Sequence, residues 1–134
     1  MIFKIPQVLS PEELEFFTTT LADAEFTDGK LTAGWYAQEV KRNQQLKSDT
    51  PVSQDLRERV RTRLEQNPLF QAAVRPRMIH SILFSRYDMG MAYDRHTDNA
   101  LMGSAFWRSD VSFTLFLSDP SHYGGGELVI EGAD

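Results

Sequence analysis

An imidazole and a carboxylate stand two residues apart in the run from Tyr87 to Asn99, as His96-Thr97-Asp98. Side chains at i and i+2 of a strand share one face. If the apolar stretch before them is extended, His96 and Asp98 converge on one metal ion from one short piece of backbone. One imidazole nitrogen and one carboxylate oxygen are two thirds of the 2-His-1-carboxylate facial set that binds Fe(II) and leaves positions open for reactants. The third ligand, a distant His, has to come from elsewhere. The only other histidines are His80, which reads as a sheet residue, and His122, which reads as a turn residue.

The elements that must position this pair are visible in the pattern. Ile2 to Leu9 reads as a strand or an extended lead-in. Ser10-Pro11-Glu12-Glu13 is a helix start with the makings of a capping box, and Leu14, Phe17 and Leu21 follow on one face. Phe26 to Gln45 reads as strand material around an Asp28-Gly29-Lys30 turn, with Trp35 and Val40 as expected buried points. Thr50-Pro51 starts a second helix, Leu56, Val60 and Leu64 recur every four residues, and Asn67-Pro68 stops it. Arg57, Arg59, Arg61 and Arg63 are interleaved with Glu58 and Glu65, which predicts a solvated face rather than a nucleic-acid stripe.

From Arg75 the texture changes to strands. Met78 to Tyr87 is one, Asp88 to Ala92 a Gly-containing turn, and Tyr93 to Asp98 the ligand-bearing segment. Asn99 to Ser109 reads as a loop. Asp110 to Ser118 alternates, with Val111, Phe113, Leu115 and Leu117 on one face. Pro120 to Gly126 is a turn before a last strand, Leu128 to Ile130. Helices first and short strands afterwards predict an α+β protein, with residues 1–134 as one domain, 1–75 helical and 76–134 carrying the strands.

Composition narrows the function. The 134 residues suffice for one core. A net charge of −5 argues against general binding to phosphate backbones. The absence of cysteine removes thiolate metal sites and thiol nucleophiles. No apolar run is long enough for a membrane helix, and no secretory leader is visible, so a cytoplasmic location is expected, with neither nucleic acid nor membrane as partner.

Taken with the strand and the Gly124-Gly125-Gly126-Glu127-Leu128 turn that follow, the chain resembles the PKHD-type hydroxylases, relatives of the prolyl 4-hydroxylase group of Fe(II)/2-oxoglutarate dioxygenases. The residues carrying the likeness are Trp35, Lys41 with Asn43, Gln44 and Gln45, then Arg86, Tyr87, Gly90, Met91 and Tyr93. They continue through His96, Asp98, Asn99, Arg108 and Asp110 to Ser112–Leu117, Pro120, Tyr123 and Gly125–Leu128.

The resemblance implies N-terminal helices packed on a double-stranded β-helix, or jelly roll. It implies Fe(II) held by His96, Asp98 and a later His, with 2-oxoglutarate as co-substrate and its far carboxylate paired to a later Arg. Ascorbate would support turnover. The resemblance further implies oxidative decarboxylation to succinate coupled to hydroxylation of an unidentified substrate, in a bacterial setting tied to iron homeostasis. The family's distal His and that Arg find no match before Asp134. This predicts the N-terminal portion of a longer enzyme, with a truncated jelly roll, little activity alone and self-association through exposed strand edges. By the same resemblance Tyr87 donates a hydrogen bond to 2-oxoglutarate, although a tyrosine merely packed at a strand end fits equally. Tyr93 is expected to pack near the site, Asn99 to support the loop, and Arg108 to pair with Asp110. Two other readings stay open: a metal-free jelly-roll binding module, and a cupin-like enzyme using another divalent metal.

Overall fold

The computed structural model describes residues 1–132. Ser10 opens the first helix, α1 (Pro11–Ala22). Its hydroxyl accepts from the Glu13 N–H at 3.2 Å, and the Glu13 carboxylate accepts from the Ser10 N–H at 2.9 Å. Two donors that a helix start leaves free are thereby satisfied. The Ser10 N–H, outweighing burial and assisted by Arg63, holds the Glu13 carboxyl below its ordinary range. A depressed carboxylate contributes stability above its unfolded pKa and loses it as pH falls through the folded one. Ser10→Ala is expected to cost about 1 kcal/mol, read as a lower urea midpoint at pH 7. The gap to the unaltered protein should change little in acid, because the backbone N–H that holds Glu13 down is kept in the variant.

Thr50 caps α3 (Pro51–Gln66), accepting from the Ser53 N–H at 3.2 Å. Leu56, Val60 and Leu64 are all buried, as their spacing predicts. On the outer face Arg59 pairs with Asp55, Arg61 with Glu58 and Arg63 with Glu13, while Arg57 donates to the Ser48 carbonyl. Asn67 ends α3 but does more than stop a helix. Its side chain accepts from the Phe70 N–H at 2.9 Å and so caps α4 (Pro68–Val74), a helix that the sequence pattern does not announce. Phe70 thereby joins the core.

The strands are short and antiparallel. β1 (Phe26–Asp28), β3 (Gln44–Leu46) and β4 (Ser85–Arg86) form one sheet in the order β1-β3-β4, with Phe26 opposite Leu46 and Gln45 opposite Ser85. β2 (Lys41–Arg42) pairs with β5 (Ala92–Tyr93), Lys41 facing Tyr93. A 3-10 turn, Gly29–Thr32, and the single helical turn α2 (Ala37–Val40) link β1 to β2. β6 (Leu101–Met102) and β7 (Trp107–Arg108) make a hairpin where a loop is expected, its turn using Gly103 at φ +69. Phe17, Leu46, Leu56, Val60, Leu64, Phe70, Ile82 and Phe84 form the core between helices and sheet.

The architecture is thus mixed helix and antiparallel strand, with β1 to β3 inside the part expected to be helical. Several expectations need correction. Met78 to Tyr87 keeps its alternation, Ile82 and Phe84 inward, but only Ser85–Arg86 is laddered. Asp110 to Ser118 and Leu128 to Ile130 belong to no ladder. Alternation sets faces, but a strand exists only where a neighbour takes its N–H and C=O groups, and among the described residues none lies alongside. Leu115 and Leu117 still pack on the core, whereas Val111, Phe113, Phe116 and Val129 are exposed. Trp35, expected inside, is 84% exposed and meets Tyr36 edge to face. Ile2 to Leu9 forms no strand; Ile5, Val8 and Leu9 rest on the core.

Candidate metal centre

β5 carries the chain to the site. Its pairing with β2 ends where the Asp94 N–H donates to the Val40 carbonyl at 2.9 Å. The Asp94 side chain meets Arg42 at 3.4 Å. Its carbonyl oxygen then lies 2.7 Å from His96 Nδ1. A carbonyl can only accept, so Nδ1 carries the hydrogen and Nε2 of the neutral ring keeps its lone pair. The imidazole is also stacked on Tyr93, with ring centroids 3.5 Å apart and planes 7° from parallel. One backbone acceptor and one aromatic face therefore set both the tautomer and the tilt of the ring. This is the support a histidine ligand commonly has from groups behind it.

His96 Nε2 lies 3.4 Å from Asp98 Oδ1. With the ring neutral both are lone-pair atoms, and a cation between them satisfies both. Donors about 2.1 Å from one divalent ion stand roughly 3.0–3.4 Å apart at cis angles. The pair fits that requirement. It comes from the strand end, not from within a strand: β5 stops at Tyr93, and Asp98 lies in irregular backbone, mostly exposed. Among the described residues no group of three His, Cys, Asp or Glu side chains could hold an ion. His80 sits in irregular backbone beside Ser81, and His122 is exposed at the end of the 3-10 turn Pro120–His122.

Tyr87 follows β4. Its hydroxyl accepts from Asn43 Nδ2 at 2.9 Å, and the residue is 47% exposed. Burial pushes its phenol above the ordinary value, with the Asn43 hydrogen bond opposing. The Tyr93 phenol is raised by burial first, then by the charges of Asp98 and Tyr87. Arg108 pairs with Asp110 at 2.7 Å. The Asn99 amide lies over Gly34, 3.2 Å from where a Cβ would stand.

Three polar residues behind the site are buried: Lys41, Asn43 and Gln45. Lys41 Nζ donates to Thr32 Oγ1 at 3.1 Å and sits 5.3 Å from the Tyr93 ring centre. Its ammonium is lowered from the ordinary value by burial, with Asp28 opposing. The Thr32 hydroxyl also touches Gln45 Oε1, and Gln45 Nε2 reaches Ser85 Oγ at 3.4 Å. Sequence reasoning assigns these residues no role. The signal is present in their spacing, since three polar side chains at i, i+2 and i+4 of extended backbone face one way.

The fold is a mixture of helices and short antiparallel strands with a histidine-carboxylate pair at a strand end, and sequence comparison shows what the chain is similar to. No family model matches the chain. Over its whole length, however, the chain is similar to proteins named PKHD-type hydroxylases. It is 68% identical over 134 residues to the PKHD-type hydroxylase of Picosynechococcus sp. strain PCC 7002. It is 63% identical to that of Gloeothece citriformis and 55% to that of Acaryochloris marina. In each case all of this chain is covered, and the chain spans 60% of the relative's length. No helix is long and apolar enough to cross a membrane among the described residues.

Proposed function

We propose that the protein is an Fe(II)- and 2-oxoglutarate-dependent hydroxylase in which His96 and Asp98 hold the iron. One observation carries the reading: a lone-pair nitrogen and a carboxylate oxygen 3.4 Å apart, with the other imidazole nitrogen committed to a backbone carbonyl. When bound, the metal with its co-substrate supplies the oxidising chemistry; the protein supplies orientation and exclusion of water. Asp98 brings negative charge, His96 a neutral nitrogen held by Asp94 and Tyr93, and the Tyr87 hydroxyl a donor for the co-substrate carboxylate. The distal His and an Arg for the far carboxylate belong to the longer protein in this reading, as do the remaining jelly-roll strands.

The test is succinate formation from 2-oxoglutarate by the full-length protein under air, with added Fe(II) and ascorbate. Metal-dependent succinate is the expected outcome, and its absence in a folded, iron-loaded sample would sink the proposal. The alternative is a binding module without metal. Titration with Fe(II) under nitrogen separates the two. Stoichiometric binding by the full-length protein supports the hydroxylase, and no binding supports the module.

A further inference from the structure

Asn43 lies between β2 and β3 and is 4% exposed. Its backbone carbonyl accepts from the Gly29 N–H at 2.9 Å. Among the described residues its side-chain Oδ1 has no hydrogen-bond partner, and it stands 1.7 Å from the place a Cβ on Gly29 would occupy. No side chain at position 29 is compatible with the amide in this seat. The seat also decides which way round the amide lies. Exchanging its oxygen and nitrogen would press two N–H donors against the Gly29 α-carbon. Orphaned buried donors are rarer than under-satisfied acceptors, and a carbonyl oxygen against Cα–H retains a weak contact. Nδ2 is therefore the atom that donates to Tyr87 at 2.9 Å.

A phenolic oxygen that accepts from Asn43 still owns a proton, and that proton needs another acceptor. Tyr87 is half exposed, and its partner Asn43 lies two residues from Lys41, which pairs across the ladder with Tyr93, the residue stacked on His96. Resting on the hydroxylase reading above, we propose that Asn43, seated against Gly29, is a positioning residue that commits the Tyr87 hydroxyl to donate towards the co-substrate carboxylate. Were the residue at 43 an acceptor, the hydroxyl would turn inward and the co-substrate would lose its donor.

The test uses the full-length protein and two readouts. The first needs neither metal nor co-substrate: tyrosinate absorbance against pH, with Tyr87→Phe subtracted to isolate the Tyr87 phenol. Asn43→Leu removes a donor to the phenolate, so the Tyr87 midpoint should rise. An unmoved midpoint overturns the proposal. The second is the 2-oxoglutarate dissociation constant, by equilibrium dialysis with Mn(II) under nitrogen. Asn43→Leu should weaken binding roughly ten- to a hundredfold, the worth of one hydrogen bond to a charged group. In a Tyr87→Phe background it should add less than about twofold, since coupled residues are non-additive. Independent, additive losses overturn the proposal.

Asn43→Asp keeps the shape but can only accept, and it serves if the leucine variant does not fold. It should raise the midpoint and weaken 2-oxoglutarate at least as much. Retained 2-oxoglutarate affinity in this variant overturns the proposal. If the unaltered protein binds no 2-oxoglutarate, the hydroxylase reading fails and the co-substrate half of this inference fails with it. The phenol midpoint then still decides whether Asn43 sets the hydroxyl.

Discussion

His96→Ala and Asp98→Ala are each expected to abolish metal-dependent succinate formation by the full-length protein, a loss of more than roughly 100-fold. Loss even of a group behind a ligand typically costs 10- to 100-fold in metal affinity or activity, and here a ligand itself is removed. With Nδ1 bound to the Asp94 carbonyl, Nε2 is the nitrogen left to coordinate. Asp98 contributes the one carboxylate oxygen beside it, 3.4 Å away. Folding should survive both changes, because neither side chain belongs to the buried core. Fe(II) affinity by anaerobic titration and the thermal melting curve are the two measurements to pair. Retained iron binding in either variant would remove that residue from the site. A lowered melting temperature without loss of iron would show a structural role instead.

The second large effect is on stability. Leu56 is fully buried on α3 and belongs to the cluster that includes Phe17, Val60 and Phe84. Leu56→Ala removes packed methyl groups and leaves a cavity, at a cost of about 2–5 kcal/mol. For a chain of this size that corresponds to a fall in melting temperature on the order of 10 °C. Val52, on the same helix but 40% exposed, is the comparison. Val52→Ala should stay within about 0.5 kcal/mol. Urea midpoints for the two variants test the contrast. Similar midpoints would mean that α3 is not a wall of the core.

Much of this protein is legible in its amino-acid order. Helix starts are written locally: Ser10 with Glu13, and Thr50 before Pro51, need only neighbours three residues away, so they are correct to the residue. The four-residue spacing of Leu56, Val60 and Leu64 names a buried face because a helix repeats every 3.6 residues. His96 and Asp98 stand out because two lone-pair side chains lie within reach of one ion along the backbone alone.

Tertiary structure decided the rest. Whether Asp110 to Ser118 ladders depends on a neighbour strand, which no local pattern encodes. Trp35 is exposed although its type suggests burial, because burial needs a surface to pack on. Asn67 both ends α3 and caps α4, and only the folded backbone shows which of its capacities is used. The seat of Asn43 over Gly29 and beneath Tyr87 joins residues 14 and 44 positions apart. Sequence by itself singled out the residue pair, His96 and Asp98, that is proposed to hold a metal. The fold alone determined the stack on Tyr93, the hydrogen on Nδ1 and the polar wall behind them. Those properties arise from contacts between segments that chain order does not place side by side.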